Sequence, residues 1–396
     1  MPTEALVGPR VVLEEEVLED HAVLVRDGRI EAIVPASQVP ADAAYLQLGD
    51  GILTPGLVDV HTHGAMGHSF NEGTETAVRA TLSTLLAAGV TTVLPTLATA
   101  PLEDLEQAVR AIGSVQGERG LPRVPGAHLE GPYFAQEQCG AQDPDHLRRP
   151  DDGSVDRLLE HASAIRMMSF APELPGAVAL TRKLVEADIV PAAGHSDARD
   201  EDLLACQEVG LRHVSHVFSG QSTTVRHGPW RKPGLLEATL ASDDLTVEVI
   251  ADGKHLPATL LRMAHRCLPG RLCLVSDSTP GAGLPDGERY RMGRREYVVA
   301  DGVGMTLDRA SFGGSTTLLP DMIRIAMQAM GIGLPEAVAM ASAVPARAAG
   351  LDGVGTIASG HHADLALFTE DLTLKAVALA GQWHHINALS GKEPSR

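Results

Sequence analysis

The chain has 396 residues, 44% hydrophobic, 21% charged and 3% aromatic. It is long enough for one large domain and a smaller one, too apolar to be disordered, and obliged to build its core from aliphatic side chains. A formal net charge of −19 argues against a nucleic acid or an anionic membrane as partner, but not against a small anionic substrate, which feels local charge. The four cysteines, Cys139, Cys206, Cys267 and Cys273, lack paired metal-site spacing. No apolar run approaches the ~20 residues of a membrane span, and the opening MPTEALVGPR lacks the basic-then-apolar pattern of a leader. A reduced, cytoplasmic protein is expected.

In chain order, HAVLVRDGRIEAIVP comes first: two apolar runs joined by Asp27-Gly28, a strong hairpin signal. The closing stretches GTIASGHHADLALFTE and LKAVALAGQWHH alternate in the same way. Residues 1–53 and 352–396 are therefore expected to form one small β-sandwich domain built from both termini.

Between them, residues 54–351 repeat a short apolar strand, a polar turn and an amphipathic helix. Eight strands are expected: 56–63, 91–97, 124–131, 167–173, 189–197, 213–219, 246–255 and 272–279. In PLEDLEQAVRAIGSV, Leu102, Leu105, Val109 and Ile112 share a helical face. EDLLACQEVG stops at Gly210. This alternation predicts a (β/α)8 TIM-like barrel. A doubly wound sheet is the competitor, but no GxGxxG follows the first strand.

Active sites of such barrels lie at the C-terminal strand ends. There the expected strands carry His61 and His63, then His128 and Glu130, His195, His216, Asp252 and His255, and Asp277. His61 and His63 aim to one side and Thr62 to the other, because a strand alternates. Each residue alone has an ordinary explanation, such as a hydrogen-bonded core histidine or a helix cap. Their convergence on one face points to a divalent metal site, since buried polar groups are costly without partners. His213, three residues before His216, points to the other side and reads as structural.

With these residues in view, the chain resembles the amidohydrolase superfamily, and within it the N-acetylglucosamine-6-phosphate deacetylases. The markers are PGLVDVHTHG, HLEGPY, GHSDA, SHVF, WRKPG, IADGKH, LVSDSTPGAG, GGSTTLLPDMIR and GTIASGHHADLAL. The resemblance implies a barrel with a small composite β domain, and removal of an acetyl group from an amino-sugar phosphate. It implies one or two divalent ions per chain, Zn or Fe. Glu130, His195 and His216 would hold the main ion. His61 and His63 would complete a second site bridged by Glu130. Asp277 would be the acid–base residue, His255 would contact the sugar, and Arg231, with Arg226 and Lys232 nearby, would bind phosphate. A homodimer is implied as well.

Two segments depart from the family pattern. Where the family reads along the lines of LYNAM after strand six, this chain has HVFSGQSTT, so Ser219, Gly220 and Gln221 stand at the phosphate-binding positions. Where the family has a histidine in G-x-H-x-P, this chain has GAQDP, with Gln142 in the substrate-contact position. A different N-acyl amine or a cyclic amide is the alternative substrate. A non-catalytic scaffold is a third reading, disfavoured by the intact ligand set.

Overall fold

A computed structural model describes residues 2–385 of the chain. Eight parallel strands form one sheet whose spatial order follows the chain. They are β1 (Leu57–Thr62), β2 (Val90–Ala98), β3 (Ala127–Glu130), β4 (Ile165–Phe170), β5 (Val190–Ala193), β6 (His213–Val214), β7 (Thr246–Val249) and β8 (Leu272–Leu274). The circle closes just past the ends of β1 and β8. The His63 N–H donates to the Ser278 carbonyl at 2.7 Å, and the Asp277 N–H to the His61 carbonyl at 2.8 Å. The expected (β/α)8 barrel is the fold.

Every residue of β2 is buried, as suits a parallel strand covered on both faces. The helix Leu102–Val115 buries Leu102, Leu105, Val109 and Ile112 against the sheet, the predicted face. The helix Asp200–Gln207 ends before Gly210, whose φ of 119° a side chain would resist. The expected strands overrun the observed ones at their C-terminal ends. His195 and Asp277 lie past the ladder with φ of 44° and 42°. Left-handed backbone at a non-glycine residue costs of order 1–3 kcal/mol and persists where surrounding contacts over-determine it.

The terminal segments form two further sheets. One joins His21–Arg26 and Arg29–Pro35 with Glu4–Val7 and Ala44–Gln47. Its hairpin turns at Asp27 and Gly28, with φ of 51° and 75°, the left-handed pair of a tight two-residue turn. The other sheet mixes the two ends of the chain. Ile52–Pro55 pairs parallel with Arg10–Val12 and antiparallel with Leu365–Phe368. That strand continues past residue 53 to Pro55, so the expected break between the two regions falls inside it. Residues 386–396 of the expected C-terminal segment lie outside the described residues.

Two elements were not expected. After β8, Arg289–Met292, Arg295–Ala300 and Val303–Thr306 form an antiparallel sheet. It packs Tyr290, Met292, Tyr297 and Val299 against Ala98 at the C-terminal end of the barrel. After β6, Val225–His227 and Trp230–Lys232 form an exposed hairpin.

Candidate metal centre and active site

Five barrel strands deliver side chains to one point. Glu130 ends β3 and stands at the centre. His195 Nε2 lies 3.0 Å and His216 Nε2 2.9 Å from its Oε1. His63 Nε2 lies 3.1 Å from its Oε2, and His61 Nε2 is 3.5 Å from Oε1. Asp277, just past β8, completes the group. Its Oδ1 is 3.4 Å from His63 Nε2 and 3.7 Å from His61 Nε2. Strand alternation operates as expected: Thr62 turns away and meets Ser278 Oγ at 2.8 Å. All six site residues are buried.

Among the described residues, no lysine or arginine pairs with the two carboxylates of the cluster, and every ion-pair partner of Glu130 and of Asp277 is a histidine. Burial acts to raise Glu130, but His61, His195 and His216 outweigh it and hold the carboxyl well below its usual range. Burial likewise opposes ionisation of Asp277, yet His63, His61 and His216 hold it down. Burial acts to lower His63, and Asp277 and Glu130 push it up to about 9. Three imidazoles have their outer nitrogen engaged: His61 Nδ1 with Glu248, His63 Nδ1 with the Thr96 carbonyl, and His195 Nδ1 with the Gln138 carbonyl. Their Nε2 atoms converge on the carboxylates. His61 Nε2 is buried with no hydrogen-bond partner at all. Converging nitrogen and carboxylate donors with no lysine or arginine among them suit a divalent ion. The groups His61–Glu130–His216 and His61–His63–Asp277 are each close enough to hold one.

A cavity of about 320 Å³ opens beside these donors. His63, Glu130, His195, His216 and Asp277 line it, together with Gln142, Ser219, Gly220 and His255. The His255 ring is held by Asp252, whose Oδ2 accepts from His255 Nδ1 at 2.7 Å, and it packs on Phe312. Gly220 has φ of 59°, and a Cβ there would come within 2.7 Å of His195 Nδ1, so only glycine fits beside that imidazole.

Three expectations about the substrate side change. Gln142 lines the cavity, and part of its amide is tied to the protein: Nε2 donates one N–H to Glu130 Oε2 at 2.6 Å and Oε1 accepts from the Thr99 N–H at 2.7 Å. It grips the central carboxylate. Gln221 is tied to its own loop, donating to the Ser215 carbonyl and accepting from the Phe218 N–H. Arg231 is not among the cavity-lining residues. It sits on the exposed hairpin, where its guanidinium donates to the Pro229 carbonyl at 3.3 Å. Arg226 likewise bonds its own turn at the Gly228 carbonyl.

Sequence reasoning missed Glu248. It lies on β7 behind His61, fully buried, and bonds both His61 and His213. The signal was present: a glutamate inside the apolar run TVEVI must find partners or destabilise the strand.

The model of the amidohydrolase family matches residues 52–384. The chain belongs to the amidohydrolase family. The superfamily is metal-dependent, and this chain gathers histidines and carboxylates that could hold an ion at its C-terminal strand ends. The model of the NagA composite domain matches residues 5–51. Relatives similar along the whole chain include the N-acetylgalactosamine-6-phosphate deacetylase of Escherichia coli O157:H7, 31% identical over 96% of this chain and 99% of its own. The N-acetylglucosamine-6-phosphate deacetylase of Haemophilus influenzae is 30% identical over 96% and 98%. Among solved structures, the N-acetylglucosamine-6-phosphate deacetylase of Pasteurella multocida superposes with a TM-score of 0.89 at 28% identity, covering 97% of this chain and 100% of that one. A variant of the Mycobacterium smegmatis deacetylase in complex with N-acetyl-D-glucosamine-6-phosphate gives 0.87 at 31% identity, covering 96% and 98%. These amidohydrolases share both the barrel and the terminal sheets.

Proposed function

We propose that this amidohydrolase removes the acetyl group from an N-acetylhexosamine 6-phosphate, with N-acetylglucosamine 6-phosphate as the first candidate, giving acetate and the free amine. The carrying observation is the convergence of Glu130, His195, His216, His63 and Asp277 at one cavity wall, with His61 directly behind them. The full-length similarity to deacetylases of two such sugars supports it.

Glu130, His195 and His216 would hold one divalent ion, and His61 and His63 a second bridged by Glu130. Zinc or iron suits this donor set. Such an ion supplies Lewis-acid polarisation of the acetyl carbonyl and acidifies water. The chain supplies the rest. Asp277 stays ionised because its imidazole neighbours hold its pKa down. It takes the proton from the attacking water and passes it to the departing amine. His255, fixed through Nδ1 by Asp252, leaves Nε2 for a sugar hydroxyl. Ser219 and Gly220 offer a hydroxyl and a backbone N–H to the phosphate end of the cavity. Arg231 would have to reach in from its hairpin to join them.

The test compares kcat/KM on N-acetylglucosamine 6-phosphate, N-acetylgalactosamine 6-phosphate and both free sugars. A strong preference for the phosphorylated forms is expected. Equal rates with and without phosphate, or no hydrolysis of any, would overturn the assignment and turn attention to other N-acyl amines. The expected homodimer belongs to the same reading and is checked by light scattering. Among the described residues no helix is long and apolar enough to cross a membrane.

A further inference from the structure

Behind His61, away from the cavity, stands a carboxylate with no part in the chemistry above. Glu248 Oε2 accepts from His61 Nδ1 at 2.7 Å and from the His216 backbone N–H at 3.2 Å. Its Oε1 accepts from His213 Nε2 at 3.0 Å, and His213 Nδ1 meets Thr246 Oγ1 at 2.8 Å. Glu248 and His213 have no solvent exposure. An ionised carboxylate only accepts hydrogen bonds, so His61 carries a proton on Nδ1. Nε2 is then the nitrogen left to bind an ion. It is buried, has no hydrogen-bond partner, and faces Glu130 and Asp277 at 3.5 and 3.7 Å.

We propose that Glu248 is a positioning residue for His61: it fixes the Nδ1–H tautomer, aims Nε2 at the second metal position, and strengthens that nitrogen as a donor. The proposal rests on the metal reading of His61. His61, His128 and Glu248 are also near enough to one another to hold an ion. Both nitrogens of His128 are already engaged, however, with the Val60 carbonyl at 3.1 Å and Ser169 Oγ at 2.7 Å. Glu248 therefore meets His61 as a hydrogen-bond acceptor and not as a fellow ligand. Its grip on the His216 backbone ties the strands that carry two of the imidazoles.

Glu248→Gln is the probing variant. The amide oxygen can still accept from His61 and His216, and the amide N–H can donate to the other tautomer of His213. Shape is kept and charge is lost. Metal-free protein titrated with Zn²⁺ against a chromophoric chelator reports stoichiometry and affinities without turnover. His61→Ala should remove one Zn²⁺ equivalent; if uptake is unchanged, the metal reading of His61 fails. Given that loss, Glu248→Gln should weaken the same equivalent ~10- to 100-fold and leave the other in place. Added to His61→Ala, it should change nothing further. Unchanged affinity in Glu248→Gln, or an equal loss with and without His61, overturns the proposal. His213→Asn, which leaves the Glu248–His61 contact but removes an anchor, carries the same test if Glu248→Gln does not fold. It should give a smaller loss at that equivalent, and no loss overturns the proposal.

Discussion

The two walls of the cavity are built differently. The inner wall, with His63, Glu130, His195, His216 and Asp277 and with His61 behind them, stands on barrel strand ends and is buried throughout. The outer wall and its surroundings, with Ser219, Gly220, Phe312 and the 225–232 hairpin, are loops of partial or full exposure. Inner residues hold one another through converging charges, so each position constrains the next. Outer residues bond their own loops, as Arg226, Arg231 and Gln221 do. On the proposed function, reaction chemistry would rest on the buried wall and substrate choice on the exposed one.

The largest effect that would test this division is His195→Ala. It removes a donor from Glu130 and should empty the main metal site and abolish turnover, read by metal analysis and steady-state rates. A metal-free preparation with full activity would break the picture of the inner wall altogether. Next comes Asp277→Asn, which keeps the bound metal and should lower kcat by about 10²–10⁴-fold, the usual worth of acid–base help. A near-normal rate would assign proton transfer elsewhere.

Gly220→Ala probes the join between the walls. Its Cβ would press on His195 Nδ1. Metal affinity should fall ~10- to 100-fold through the displaced imidazole, as for other changes behind a ligand. An unchanged affinity with altered KM would place Gly220 wholly on the substrate side.

Acidity offers a smaller, separate readout on metal-free protein. His63 is held at about 9 in the fold, against an ordinary value of 6.5. A folded pKa above the unfolded one stabilises fully below 6.5, and that stabilisation fades as pH rises through 9. The Tm of metal-free protein should therefore fall between those pH values. Metal-loaded protein, with His63 neutral and bound, should not follow. The smallest effect is expected from Arg231→Ala, which should leave kcat intact and raise KM for the phosphorylated sugar only if the arginine reaches the substrate.

The same division decides what could be read from the chain itself. Barrel strands announced themselves because a buried strand is an apolar run, and His61 and His63 because alternation with period two sends both to one side. Asp27-Gly28 is legible because few residues accept left-handed backbone twice in succession. By contrast, residue type alone could not reveal that the Gln142 amide reaches both Glu130 and the Thr99 N–H. Glu248 was hidden because one polar residue in a strand names no partner until neighbouring strands are in register. Arg231 was placed from its motif, and a motif does not fix how far a hairpin stands from a cavity. The sheet of residues 289–306 went unread because its short strands follow no barrel repeat.

The hydrogen bond between Thr62 and Ser278 spans 216 residues of chain. It lies where the first barrel strand meets the last, and His61, His63 and Asp277 flank it. Loop-closure entropy makes such a distant pairing slow to form. Asp277 therefore meets His61 and His63 only once the first and last strands have joined.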